Sequence, residues 1–492
     1  MTISLKQIRD LIFEIDNSPD IMGYQFPGGG SCWLMIRYEI YTHLVNRNVL
    51  KLESNSIVKV NQNYSKLKSK VISKFNKIKY WISFYINRPA SLISKVDCLN
   101  YAVPYGVFFS QGNYKSKSTG FLDECNNISV ANIYLIKEGK YIRNYGRNSR
   151  YIDYIFRNRN LFEKDRKIVE EILLEFEKHL SGYLGNYVDE LSLKNFIKNL
   201  EFYYRQIRGS QKALDKLIDF TKPKLFLIED LFYGGWHATA LLQACKRHKV
   251  KTAEMQHGVF DIAYEYGQDL LKAGVLDRYT PDFLFTFGEY FSKFSKTASV
   301  PIEIGYYFLD QMSKLTEVSS HSSSIKKILF VAQRNYTNCI LPIVSTCLRR
   351  LEFEFKLIIR LHPADNDRGV YSELSRDFNI EYSIDENLYD LIADSDYIIG
   401  LHSAVLFESY YFGKNIFIYD NEISRNIIPN DIGKWFSNED ELLQLFIEQK
   451  GVISREKIYF KENVLSNFRE FWAKYIDEES KITAESSHAY AH

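Results

Sequence analysis
Several polar residues of this chain stand where short apolar runs end, and their types suit holding an anion and moving a proton. Arg360-Leu361-His362-Pro363 closes one run and Gly400-Leu401-His402-Ser403 closes another. His362 can donate to a phosphate while negative charge builds on a departing group, and Pro363 stops the run and fixes the turn that aims the imidazole. Ser403 and Ala404 open an apolar helical pattern, where free backbone N–H groups and the Ser hydroxyl can meet a phosphate. Glu408 follows about a turn and a half later, and its carboxylate can accept from a sugar or ribose hydroxyl. Nearer the N-terminus, Glu229-Asp230 and Gln256-His257-Gly258 also end apolar runs. They offer carboxylates and an imidazole for proton transfer. Each residue has a plain structural use too. A His-Pro pair suits a loop, a Ser at a helix start is an N-cap, Glu408 can lie on the surface, and Glu229-Asp230 can cap the next helix. Their recurrence at neighbouring strand ends favours the chemical reading.

The elements that must position these residues alternate along the chain. After a possible strand at Tyr101–Ser110 and helical blocks at Lys164–Lys178 and Ser192–Arg208, apolar runs at 224–228, 251–255 and 282–288 surround a helix at Trp236–His248. Beyond a polar linker at Glu317–Ser324, strands at 326–332, 356–361, 381–384, 397–400 and Asn415–Tyr419 alternate with helices at Ile340–Leu351, Leu388–Ala393 and Ala404–Phe412. Continuous apolar strands alternating with helices indicate parallel sheets covered on both faces. Two doubly wound Rossmann-like domains facing each other across a cleft satisfy this pattern, and ligands then sit at the carboxyl ends of the strands.

The domains expected are an N-terminal helical and basic extension over 1–90, a Rossmann-like unit over 91–316 and a second over 325–480. In the extension, Leu5, Ile8, Leu11, Ile12 and Ile15 mark an amphipathic helix, and Trp33, Ile36, Ile40 and Leu44 mark another. Gly28-Gly29-Gly30 between them is either an anion-binding loop or a turn. Lys66, Lys68, Lys70, Lys74, Lys77 and Lys79 run into the aromatic stretch Tyr80–Tyr85. Residues 66–85 therefore suit peripheral contact with an anionic inner membrane, or else form a solvated helix face.

Composition narrows the classes. The 492 residues are 46% hydrophobic and 25% charged, which sets aside a mainly disordered or fibrous chain. Lys and Arg number 63 against 61 Asp and Glu, so no nucleic-acid partner is expected. Dispersed cysteines without a C-x-x-C pair, no long apolar run and no signal-peptide pattern at the start point to a cytoplasmic protein, at most held to the cytoplasmic face of the inner membrane.

The stretch from Asp394 through Gly400-Leu401-His402-Ser403 to Glu408, continuing to Phe412-Gly413-Lys414-Asn415 and Tyr419, resembles the donor-binding segment of GT-B glycosyltransferases of bacterial surface polysaccharide synthesis. Arg360-Leu361-His362-Pro363 resembles the His-Pro motif of bacterial sialyltransferases, Kdo transferases and CDP-glycerol-type polymerases. Gln256-His257-Gly258 and Thr286-Phe287-Gly288-Glu289-Tyr290 resemble the N-terminal domain of such enzymes, and the likeness covers about 220–420.

The resemblance implies an inverting, metal-independent transferase that needs no cofactor. It would move a sugar from a nucleotide-sugar donor, such as CMP-Kdo or a CMP-sialic-like acid, to a glycan or glycolipid acceptor. Arg360, His362, Ser403, Ala404, Glu408 and Gln333 would hold the donor, with His362 also acting in catalysis. A general base would come from the N-terminal domain: Asp230 first, then Glu229, with Glu265 of Glu265-Tyr266-Gly267 as a rival and His257 as base or acceptor-binding group. The family's acidic-acidic-Gly motif is interrupted here by Leu231-Phe232-Tyr233. A D-x-D spacing occurs at Asp394-Ser395-Asp396, but before an apolar strand, where a structural turn is expected. A CDP-polyol phosphotransferase, a UDP- or GDP-sugar transferase, a nucleotide-sugar 2-epimerase and a non-catalytic membrane scaffold are the alternatives.

Overall fold
The computed structural model describes residues 3–48, 95–102, 108–110, 113–135, 149–152, 155–156, 165–229, 231–260, 265–266, 268–272, 274–294, 297–315, 325–333, 336–362, 368–372, 374–383, 387–448 and 458–478. Short apolar runs flanked by helices form two parallel sheets, as their lack of in-out alternation requires. Sheet A contains β1 (Cys98–Tyr101), β2 (Val130–Tyr134), β3 (Ser149–Tyr151), β4 (Leu225–Ile228), β5 (Lys251–Met255), β6 (Phe283–Thr286) and β7 (Val300–Glu303). Sheet B contains β8 (Lys326–Val331), β9 (Phe355–Arg360), β10 (Ile380–Ser383), β11 (Tyr397–Gly400), β12 (Asn415–Tyr419) and β13 (Lys434–Phe436). Their spatial orders are β7-β6-β5-β4-β1-β2-β3 and β10-β9-β8-β11-β12-β13. Every pairing within both sheets is parallel. Both windings therefore reverse direction after their first three strands, as in a doubly wound fold, and the GT-B arrangement is present.

The helices that matter for the site are α1 (Leu5–Asp16), α2 (Cys32–Asn48), α3 (Lys117–Leu122), α4 (Arg166–Leu184), α5 (Glu190–Thr221), α6 (Leu231–Arg247), α7 (Thr337–Leu348), α8 (Ala404–Tyr411) and α9 (Val464–Trp472). Helix α6 breaks at Gly235, whose φ of 60° and ψ of −150° are open to glycine, so regular helix starts at Trp236 as the sequence predicts.

Some elements differ from expectation. The strand expected over Tyr101–Ser110 ends at Tyr101, and Phe108–Ser110 instead pairs antiparallel with Asn113–Lys115. Strand β2 leaves no plain trace in the sequence because Asn132 interrupts its apolar run. That side chain is fully buried and accepts from Asn100 Nδ2 of β1 at 2.7 Å, so the polar pair is satisfied inside the sheet. Strand β7 carries Pro301 and an exposed Val300, both tolerable only at the sheet edge where it lies.

The two sheets share one apolar cluster. Leu225, Leu227, Met255 and Phe285 of sheet A join Leu329, Ile358, Ile398 and Ile416 of sheet B, with Leu406 and Phe407 of α8. The chain then returns from sheet B, and residues 458–478 pack on sheet A: Phe283 and Phe285 meet Phe471 edge-on, with ring centroids 5.1 and 4.7 Å apart. This crossing needs backbone contact. A Cβ on Gly288 would lie 2.6 Å from the Ile458 carbonyl oxygen, and Lys461 N donates to Phe287 O at 2.7 Å.

The N-terminal helices α1 and α2 bury Ile8, Ile12, Ile15, Trp33, Ile36 and Ile40 against α4 and α5. Asp16 is buried among them but paired: Arg37 Nε donates at 2.8 Å and Nη2 at 2.9 Å, and Trp33 Nε1 adds a third bond at 2.8 Å. Helix α5 has 32 residues, about 48 Å at about 1.5 Å per residue. Its C-terminus feeds the amino end of β4, so its N-terminal half stands beyond the carboxyl edge of sheet A. Gly28 and Gly29, at φ 95° and 86°, make the turn between two short antiparallel strands, which favours the turn over the anion loop. Lys66–Lys79, Tyr80–Tyr85 and the expected linker lie outside the described residues. Among the described residues no helix is long and apolar enough to cross a membrane.

Candidate active site
The strand order of sheet B opens a crevice between β8 and β11, at their carboxyl ends. Strand β11 runs into Leu401-His402-Ser403 and then α8. Ser403 is extended, at φ −99° and ψ 147°, and its Oγ accepts from Val405 N at 3.3 Å. As an N-cap the hydroxyl uses a lone pair and keeps its proton for another acceptor. Ala404 is the first helical residue beside it. His402 is 7% exposed, and among the described residues its Nδ1 has no hydrogen-bond partner. Its ring meets Tyr336 edge-on, with centroids 4.4 Å apart. Burial pushes this imidazole down to about 4, so it is neutral at neutral pH.

Arg360 ends β9 and donates to Ser383 Oγ on neighbouring β10 at 2.8 Å. His362 follows two residues later and is partly buried; Pro363 lies outside the described residues. At the end of β8, the Gln333 backbone closes the turn into α7: its N–H donates to Thr337 Oγ1 at 3.0 Å and its carbonyl accepts from the same hydroxyl at 2.9 Å. Glu408 lies on α8, 6% exposed, and its Oε2 has no hydrogen-bond partner among the described residues. Burial raises this carboxyl to about 7, against the opposing pull of Lys117 and Arg360.

Sheet A reverses between β1 and β4, and there Glu229 is 4% exposed. Its Oε1 accepts from Ser118 N at 2.7 Å and Ser118 Oγ at 2.6 Å. Glu229 thus fastens α3, and the start of α6 is held by Glu254 Oε1, which accepts from Leu231 N at 2.9 Å. Asp230 lies outside the described residues. His257 follows β5, and its carbonyl accepts from Lys117 Nζ. The ammonium stands 5.7 Å from the ring centroids of Phe287 and Tyr306. Burial first, then Lys117, then His362 push the His257 imidazole down to about 3. The two histidines come from different sheets, so the cleft brings His257 and His362 into each other's field. Tyr389 Oη donates to Tyr306 Oη at 3.0 Å across the same gap, and both phenols feel the Glu408 charge.

The structure therefore gathers His257, Arg360, His362 and Glu408 at one cleft, with Ser403 and Ala404 opening the helix that carries Glu408. It gives Glu265 other partners: Arg9 pairs with its carboxylate, and Arg37 Nη2 donates to its carbonyl at 2.7 Å. Asp394 and Asp396 stand at the amino end of β11, where Asp396 accepts from Lys327 N at 2.8 Å and Asp394 pairs with Lys327. They form the structural turn expected. Lys117, Tyr306 and Tyr389 were not foreseen, because nothing local marks them. The Ser116–Thr119 capping box announces that a helix starts at Lys117 but not what its side chain reaches. Among the described residues no group of three or more His, Cys, Asp or Glu side chains is placed to hold a metal ion.

No protein-family model and no curated protein sequence matches the chain. Solved structures similar to it include UDP-GlcNAc 2-epimerase from Neisseria meningitidis bound to UDP-GlcNAc, at 12% identity over 77% of this chain and 99% of that one, with a TM-score of 0.43. Acinetobacter baumannii MurG is similar at 9% identity over 76% and 94%, TM-score 0.38. The lipopolysaccharide outer core galactosyltransferase WaaB is similar at 11% identity over 76% and 97%, TM-score 0.37.

Proposed function
We propose that this protein is an inverting, metal-independent glycosyltransferase that takes a sugar from a nucleotide donor and passes it to a bacterial surface glycan. The observation that carries the reading is the delivery of polar residues to one cleft from both halves: His257 beyond a strand of sheet A, Arg360 and His362 at the end of a strand of sheet B, and Glu408 from α8. In this reading Ser403 Oγ, the amides opening α8, Arg360 and His362 hold the phosphate of the donor. His362 stabilises the nucleotide as it departs. Glu229 is already engaged in holding α3 through its two hydrogen bonds from Ser118, and His257 is held at about 3, so the imidazole accepts a proton weakly. Asp230 is therefore the base assigned to the acceptor hydroxyl, and His257 is assigned to acceptor binding. The donor proposed is a CMP-activated ulosonic acid, on the strength of the His-Pro and Ser motifs.

The test is a thermal-shift panel of CMP, CDP, UDP and GDP, since a bound nucleotide raises the midpoint by mass action. A response to CMP or CDP is expected. A response to UDP or GDP alone overturns the cytidine donor, and no response to any overturns the donor site. His362→Ala and Ser403→Ala should each weaken nucleotide binding by about tenfold or more, the loss expected for one hydrogen bond to a charged group. Product analysis with and without acceptor separates transfer from 2-epimerisation, which needs no acceptor.

A further inference from the structure
The proposed donor phosphate site is built wholly from sheet B, yet a cation from sheet A projects into the same cleft. Lys117 opens α3 and is only partly exposed; its ammonium donates to the His257 carbonyl and lies over the faces of Phe287 and Tyr306. Tyr306 is hydrogen-bonded to Tyr389, which belongs to the helix at Leu388–Asp394 in the sheet B unit. Lys117 therefore sits where the units meet, and it acts electrostatically on His257 on one side and on Glu408 on the other. Arg360 reaches the cleft from the opposite sheet and acts on the same carboxylate. Two fixed cations on opposite walls suit a ligand with two anionic centres rather than one.

We propose that Lys117 is a specificity residue that holds a second anionic group of the donor, placed just beyond the nucleotide's α-phosphate. That group is either the carboxylate on the anomeric carbon of a nucleoside-monophosphate-activated ulosonic acid or the β-phosphate of a nucleoside-diphosphate sugar. Both place negative charge next to the bond that breaks, and Lys117 recognises that shared feature from the acceptor side of the cleft. The inference rests on the donor-site reading above and adds to it the part of the donor that sheet A selects.

Calorimetric titrations of the full chain with CMP, UMP, CDP, UDP and CMP-N-acetylneuraminate test it, repeated on Lys117→Met and Lys117→Arg. Wild-type protein is expected to bind at least one ligand with the second anion about tenfold or more tightly than its monophosphate, as one charge-assisted hydrogen bond supplies. A gain with CMP-N-acetylneuraminate identifies a sugar carboxylate, and a gain with CDP or UDP identifies a β-phosphate. Lys117→Met should lose that gain while keeping monophosphate affinity within about twofold, and Lys117→Arg should restore most of it. Equal wild-type affinity for mono- and doubly anionic ligands overturns the proposal, even if the variants fold poorly. So does a gain that persists in Lys117→Met. In both cases monophosphate binding leaves the donor site standing, whereas absence of all nucleotide binding removes the donor site itself.

Discussion
Glu408→Gln should abolish a pH dependence of stability that the wild-type protein carries near neutrality. The Glu408 carboxyl is 6% exposed, and burial lifts it from the ordinary 4.5 to about 7. A carboxyl raised in this way binds its proton more tightly in the folded state. The associated stability is full below about 4.5, declines as the pH rises, and is lost once the pH passes about 7. At about 1.36 kcal/mol per pKa unit, the span amounts to about 3 kcal/mol as an upper figure. Glutamine keeps the shape and cannot titrate, so thermal unfolding of wild type and variant at pH 5 and pH 8 isolates this group from all others. Each kcal/mol moves the midpoint of a domain of 150–250 residues by about 2–4 °C. The wild type should therefore lose several degrees more than Glu408→Gln between the two pH values. A bound phosphate would add negative charge near Glu408 and raise it further, so nucleotide affinity should gain more from pH 8 to pH 6 in the wild type than in Glu408→Gln. Parallel pH dependence of the two proteins, with and without nucleotide, would refute the reasoning.

Asp230→Asn should reduce turnover by about 10²–10⁴, the contribution of a general base, while leaving nucleotide affinity unchanged; a rate near wild type moves the role to Glu229 or His257. Glu229→Gln should act chiefly on stability, because the Ser118 amide and hydroxyl would lose a charged acceptor worth about 1.5–3 kcal/mol for each bond. Urea unfolding of that variant at unchanged midpoint would contradict the assignment. Asp16→Ala strands the buried Arg37 and should cost about 3–5 kcal/mol. The loss should be visible as a lower denaturation midpoint, and a neutral outcome would mean that water reaches the pair.

Much of the fold was legible because buried parallel strands leave a plain trace. Runs such as Leu225–Ile228, Phe283–Thr286 and Tyr397–Gly400 are buried at every residue, and all three were readable as strands. Strand β2 was not, because Asn132 answers to Asn100 on a strand thirty-two positions away, and only the pairing makes a polar residue acceptable there. The sheet B half of the candidate site was also readable. Arg360 ends β9, and His362 and Ser403 come within three residues of the ends of β9 and β11, so local pattern already places them on one edge.

The sequence by itself determined the two alternating halves, the strand ends and the identity of the polar groups on them, since those follow from burial period and turn chemistry within a few residues. Tertiary structure decided everything that depends on distance across the chain. It tied Glu229 to Ser118, gave Glu265 to Arg9 and Arg37, and carried Lys117 to the His257 carbonyl and into the field of Glu408. It also decided protonation. Glu408 and His257 look ordinary in sequence, and only the low-dielectric cleft between two sheets lifts one to about 7 and drops the other to about 3. Desolvation and facing charge belong to the assembled surface, and no local run of residues encodes them.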